Sequence, residues 1–359
     1  MPVDPVLALR ARVFAVLGLV PLAACYGAED ANGEGCVSVE EGVTECPSAD
    51  EVRDDLEGDH CGYTTVAVVG EGTFEAGGDT GYYTGDRCCY PVVNKDDPLS
   101  ACVVGRPYVE DGAIVTAGEE RRAGGWRRGR APKVAGLTAA ERRVLAEAWS
   151  EDARTEHAAV AAFARFAMEL MAHGAPADLV AEAHRAALDE VRHAKLAFAI
   201  ASGYAGEELA PGAFPFGAAV PLAPDLPSLA AAVAREGCVG ESVVALLAAD
   251  ALARATDPAV RATLAVIARD EARHAELAWR TLRWAIEVGG EPVREAVAAV
   301  FAEVARVGIV QPDVTTGAAR EVLDAHGRIG EADTVRGVAR ALREVVLPAG
   351  FALAGRRAA

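Results

Sequence analysis

Asp189-Glu-Val-Arg-His-Ala-Lys-Leu196 and Asp270-Glu-Ala-Arg-His-Ala-Glu-Leu277 are nearly the same string, and each lies in an Ala-rich, apolar stretch with helical periodicity. Residues i and i+3 share a helix face, so Glu190 with His193, and Glu271 with His274, each present a carboxylate and an imidazole in one direction. The stripe around Glu190 contains Ala186, Ala187, Ala194 and Ala197, and that around Glu271 contains Ile267, Ala268, Ala275 and Ala278. Both pairs are therefore expected to point into a core. An isolated charge there costs on the order of several kcal/mol, so the pairs need partners.

The surrounding sequence is punctuated as helices throughout. Thr138 with Glu141 forms a capping box that opens a short helix to about Trp149, and Ser150 is expected to cap a longer one ending at His173 and Gly174. Pro176 starts the next, which runs to about Ser202 and stops at Gly203. A loop with Pro211, Pro215, Pro221, Pro224 and Pro227 follows. Ser228 is expected to cap a third helix reaching Thr256, and Asp257-Pro258 to open a fourth ending at Gly289-Gly290. Shorter helices are predicted near 292–308, 317–326 and 333–346. Tight turns within each pair and a long link between pairs give two antiparallel hairpins.

The first and third helices are expected to supply one carboxylate each. Glu156 shares an inward stripe with Val160, Phe163 and Ala167, whereas Glu151 lies about 140° round the helix. The third helix offers Glu236 and Glu241. In a hairpin, residues at one height are equidistant from the turn; Glu241 and Glu271 are centred on Thr256, as Glu156 and Glu190 are centred on His173. Glu236 would sit about 7.5 Å out of height at a rise of about 1.5 Å per residue. Raw spacing favours Glu236, but hairpin lengths can differ. Glu241 is taken as the ligand and Glu236 as an outer or substitute one.

The set Glu156, Glu190-His193, Glu241 and Glu271-His274 resembles the ferritin-like di-iron carboxylate proteins over about residues 150 to 288. The resemblance implies a ferritin-like four-helix bundle in a mainly all-α chain, with terminal ligands Glu156 and Glu241. It also implies that Glu190 and Glu271 bridge two iron ions, or another divalent metal such as manganese, each ion taking one histidine. Four carboxylates crowded in a core would take up protons unless cations sat between them, and two divalent ions balance four charges. Asp189 and Asp270 fit as acceptors orienting the imidazole N–H groups. Arg192 and Arg273 lie about 200° from the inward glutamates and are expected to pair with acids outside the site. His157 points about 100° from Glu156, and Cys238 is a small core residue one turn before Glu241.

The chain has 359 residues and a formal net charge of -18, which argues against a nucleic-acid partner. Residues 1–24 read as a lipoprotein signal peptide: Arg10 and Arg12 precede an apolar run from Val13 to Leu22, and Leu22-Ala23-Ala24-Cys25 resembles a lipobox. Cys25 would carry the lipid, anchoring the exported chain in the bacterial cell envelope, on the outer membrane or periplasmic face. Cys36, Cys46, Cys61, Cys88, Cys89 and Cys102 fall in 25–105, which reads as a small disulfide-rich module. No Cys-x-x-Cys knuckle is present, which argues against a rubredoxin-like donor. Residues 106–136 are Gly- and Arg-rich and read as a solvated linker, 137–290 as the helical bundle, and 291–359 as C-terminal helices packing on it.

The expected function is a di-iron oxidoreductase of the cell envelope that activates oxygen or peroxide: an oxidase, an oxygenase or a ferroxidase acting on a small molecule or ferrous iron. Its rival is a non-catalytic lipoprotein whose bundle binds metal or a protein partner.

Overall fold

The computed structural model describes residues 4–17, 34–38, 46, 59–60, 64–68, 73–75, 87–94, 106, 108–110, 113–121, 125–217, 219–306 and 318–355, with only the backbone for the strands before residue 100. The chain is mainly helical. Among the described residues, helix α1 (Pro5–Leu17) is followed by five strands, β1 (Glu34–Ser38), β2 (Asp59–His60), β3 (Thr64–Val68), β4 (Thr73–Glu75) and β5 (Arg87–Asn94). β5 organises this sheet, pairing antiparallel with β1, β3 and β4, while β2 pairs with β3. Cys46 is disulfide-bonded; the side chains of the other five N-terminal cysteines, and Cys25, lie outside the described residues.

Two helical hairpins follow. α2 (Ala139–Ala172) opens with the Thr138–Glu141 capping box and turns at Gly174 (φ 70°) into α3 (Ala177–Ala205). The second hairpin starts with α4 (Leu226–Ala232), widens into a π-helical segment (Val233–Glu241), and resumes as α5 (Ser242–Arg254). After a short turn comes the 49-residue α6 (Pro258–Arg306), kinked at Gly290 where φ is 64° and ψ -141°. The hairpins pack antiparallel through α3 and α6: Asp178 and Glu182 meet Arg280, and His193 meets Asp270. α7 (Ala318–Ala325), α8 (Glu331–Ala341), a π segment (Leu342–Val346) and α9 (Leu347–Leu353) close the chain. No described helix is long and apolar enough to cross a membrane.

Several boundaries differ from the sequence expectation for identifiable reasons. Ser150 does not divide α2; it is buried in the helix interior, and its hydroxyl is bound by Glu119. Gly203 does not end α3, because its missing Cβ instead leaves room for Pro132, and Gly206 (φ 78°) terminates the helix. Asp225, not Ser228, caps α4, accepting the Ser228 N–H at 2.8 Å.

The segment read as a solvated linker is laid against the helices instead. Glu119–Arg121 pairs antiparallel with Leu209–Pro211 beyond α3, the Arg128 N–H donates to Lys195 O at 3.1 Å, and the Lys133 N–H donates to Asp257 at 2.8 Å. Gly-rich backbone gains these bonds because it can approach the helices closely. α1 also packs, burying Val6, Leu9, Val13 and Phe14 against α6, α5 and the C-terminal helices. Cleavage before Cys25 would remove that helix and bare the surface beneath it.

Candidate metal centre

Where α3 crosses α6, the two repeated strings face each other about a local near-twofold relation. Glu190 and His193 come from α3, Glu271 and His274 from α6, and all four are buried. α2 adds Glu156 on one side, and the end of the π segment adds Glu241 on the other. Ligand atoms of Glu156, Glu190, His193 and Glu271 lie within 4.8 Å of one another, as do those of Glu241, Glu271 and His274. The six residues that the sequence nominated thus form two groups sharing Glu271.

Each half is built on an imidazole Nδ1. His193 Nδ1 lies 3.3 Å from Glu156, 3.4 Å from Glu190 and 3.2 Å from Glu271, yet makes a well-formed hydrogen bond to none of them. His274 Nδ1 lies 3.0 Å from Glu190 and 3.1 Å from Glu271. Glu190 turns Oε2 to His193 and Oε1 to His274; Glu271 turns Oε1 to His193 and Oε2 to His274. Both central carboxylates therefore span the two halves, one oxygen each.

The other imidazole nitrogens face aspartates crosswise. His193 Nε2 is hydrogen-bonded to Asp270 on α6 at 3.2 Å, whereas His274 Nε2 lies 3.5 Å from Asp189 on α3 without a well-formed hydrogen bond. Arg192 pairs with Asp189 at 2.7 Å and with Asp270, and Arg273 pairs with Asp189 at 3.0 Å and with Asp270. The expectation that these arginines pair with acids outside the site is corrected: they bind the very acids that hold the histidines. Interhelical contact decides this, because Asp189 and Asp270 are adjacent only once α3 and α6 are packed.

Electrostatics follow from burial. Burial, reinforced by the nearby Glu190, pushes the Glu156 carboxyl well above the ordinary range, and burial with Glu271 does the same to Glu241. Burial opposes charge on His193 and His274, but Glu190 and Glu271 outweigh it and hold both imidazoles well above their usual value. Burial likewise opposes charge on Glu271, and the imidazoles outweigh it, holding its carboxyl well below the ordinary range. Without a cation the cluster is neutralised by protons, which is the response expected of carboxylates crowded out of water. The donor set fits divalent metal: oxygen and imidazole nitrogen, with His193 Nδ1 and Glu241 Oε1 buried and lacking hydrogen-bond partners.

Glu236 is placed elsewhere, beside two guanidinium groups, Arg106 at 3.5 Å and Arg165 at 3.7 Å. Arg106 also stacks over Phe166, 4.0 Å from its ring centre, and a Cβ on Gly237 would collide with it. Sequence reasoning did not anticipate Arg106, whose neighbours are Gly105 and Pro107 in an unpatterned stretch. His157 points away from the metal groups and packs edge-on against Trp126, ring centres 4.9 Å apart. Cys238 is a buried free thiol. The chain matches no family model, no curated protein and no solved structure.

Proposed function

We propose that this chain carries a di-iron centre on a ferritin-like four-helix bundle and acts as an oxidoreductase of the cell envelope. One observation carries the proposal: Glu190 and Glu271 each offer one oxygen to each histidine. A single-ion site has no use for two carboxylates spread in this way. Glu156 and His193 would complete one ion's ligands, Glu241 and His274 the other's, with four carboxylate charges matching two divalent cations. Manganese shares this ligand preference, and the buried imidazoles favour iron alongside it.

Bound iron would supply redox chemistry with oxygen or peroxide, and the chain's own residues would set its conditions. Asp270 would hold the His193 ring by its hydrogen bond to Nε2 and Asp189 would face the His274 ring, so that each Nδ1 faces the carboxylates. Burial opposes charge on both aspartates, but the histidines, with Arg273 and, for Asp270, Arg269, outweigh it and keep them ionised. Phe163, 4.9 Å from the His274 ring, excludes water on that side. The substrate is a small molecule or ferrous iron, and the lipobox at Cys25 would tether the protein to the membrane.

The test is to purify the chain from iron-supplemented cells, count metal per chain, and mix the ferrous form with oxygen. About two irons, with oxygen consumed, is the expected result. Two irons inert to oxygen and peroxide would favour the non-catalytic metal-binding lipoprotein; absence of iron would overturn the metal assignment.

A further inference from the structure

Away from the metal centre, the Gly- and Arg-rich strap forms a cleft of about 350 Å³ against the end of α3. Arg127, Arg128 and Trp126 line one wall, and Ser202, Gly203 and Glu208 the other. We propose that this cleft binds a phosphate-bearing anion, held by the Arg127 and Arg128 guanidinium groups.

Charge is the first argument. From Arg121 to Ala140 there are six basic residues and no acidic one, in a chain whose net charge is -18, and only Arg121 and Arg127 of them are paired with the neighbouring Glu207 and Glu208 among the described contacts. Such a concentration on an acidic molecule creates a local field that attracts anions, and guanidinium forks match phosphate oxygens. The second argument is that the strap is fixed rather than loose. Gly203 admits Pro132 against α3, Gly129 adopts φ 138°, and the Arg128 N–H is bonded to Lys195 O. Ser202 is buried on the opposite wall; its Oγ accepts the Leu209 N–H at 3.0 Å and retains a proton to donate. Lys195 adds positive charge beside Trp126, its Nζ 5.9 Å from the ring centre.

Glu208 makes the inference testable in both directions. Its carboxylate pairs with Arg127 within the cleft wall, so it competes with an incoming anion for the same guanidinium. Removing its charge should strengthen binding, while removing either arginine's charge should weaken it.

The phosphate group could belong to a soluble ligand or to a lipid headgroup, and two probes separate them. The full chain is titrated with inorganic phosphate and with phosphatidylcholine vesicles containing or lacking phosphatidylglycerol, following tryptophan emission, with W126F identifying the responding ring. Saturable binding weakened about tenfold by R127Q or R128Q, and tightened by E208Q but not by E287Q, supports the site. Response to inorganic phosphate identifies a soluble ligand; response to the anionic vesicles alone identifies a headgroup. Absence of binding to both probes, or binding indifferent to R128Q and E208Q, overturns the proposal.

Discussion

Glu156 and Glu241 occupy equivalent places in the two halves of the centre, but the helices that carry them are built differently. Glu156 rides on a regular α-helix, and its side chain keeps 16% of its exposure. Glu241 ends a nine-residue π-helical segment and is 2% exposed. In an α-helix Glu236 and Glu241 would be about 140° apart; in a π turn, where the bond runs from i to i+5, they rise one above the other. The wide turn therefore turns both carboxylates inward, one to His274's side of the centre and one to Arg106 and Arg165. The difference teaches that one terminal carboxylate is set by regular helix geometry, while the other depends on a widened turn that also seats Glu236 against Arg106 and Arg165.

The comparison can be broken most severely at the residues that both halves share. Glu190→Ala or Glu271→Ala removes an oxygen from each half, and metal analysis should show both ions lost, whereas Glu156→Ala should leave about one ion per chain. Equal losses in all three variants would mean that the halves are not separable. Next in size is Asp270→Asn, which leaves the ligands intact and frees the His193 ring. Metal affinity measured by competition with a chelator should fall roughly 10- to 100-fold. Asp189→Asn should have a smaller effect through His274, whose Nε2 lies 3.5 Å from Asp189 without a well-formed hydrogen bond.

Glu236→Gln sharpens the contrast inside the π segment. Arg106 and Arg165 would lose their shared carboxylate, so denaturant unfolding should show a loss on the order of 3 kcal/mol. Metal content should stay at its wild-type value, and a drop to one ion would show Glu236 to be a ligand after all.

The smallest expected effect lies at the far end of the hairpins. Burial lowers the His326 pKa, and its Nδ1 sits 2.6 Å from the Tyr204 hydroxyl, which donates to the neutral ring. A histidine with a depressed folded-state pKa binds fewer protons folded than unfolded. Its contribution is full above the unfolded value of about 6.5 and declines as pH falls toward the folded one. Thermal melts between pH 8 and 5 should show this decline, and His326→Gln should reduce its slope; an unchanged slope would remove His326 as the source.

Much of the centre was legible because it rests on local rules. Glu190 with His193, and Glu271 with His274, share a helix face through i,i+3 spacing on apolar stripes, and Glu241 followed from its distance to the Thr256 turn. What was not legible depends on packing between elements. The π segment has no local signature, since Val233 to Glu241 contains only Gly237 and Gly240 as hints, and the ring of Asp189, Arg192, Asp270 and Arg273 exists only where α3 meets α6. The strap misled for a related reason: Gly and Arg suit a solvated linker equally well, and it is the seat of Pro132 on Gly203 that fixes it.

The central claim is that two carboxylates bridge two ions, and anomalous diffraction from an iron-loaded crystal measures it most directly. Two iron peaks about 3.5 to 4 Å apart, flanked by Glu190 and Glu271, are predicted. A single peak bound by one histidine, or two ions too far apart to share either carboxylate, would contradict it.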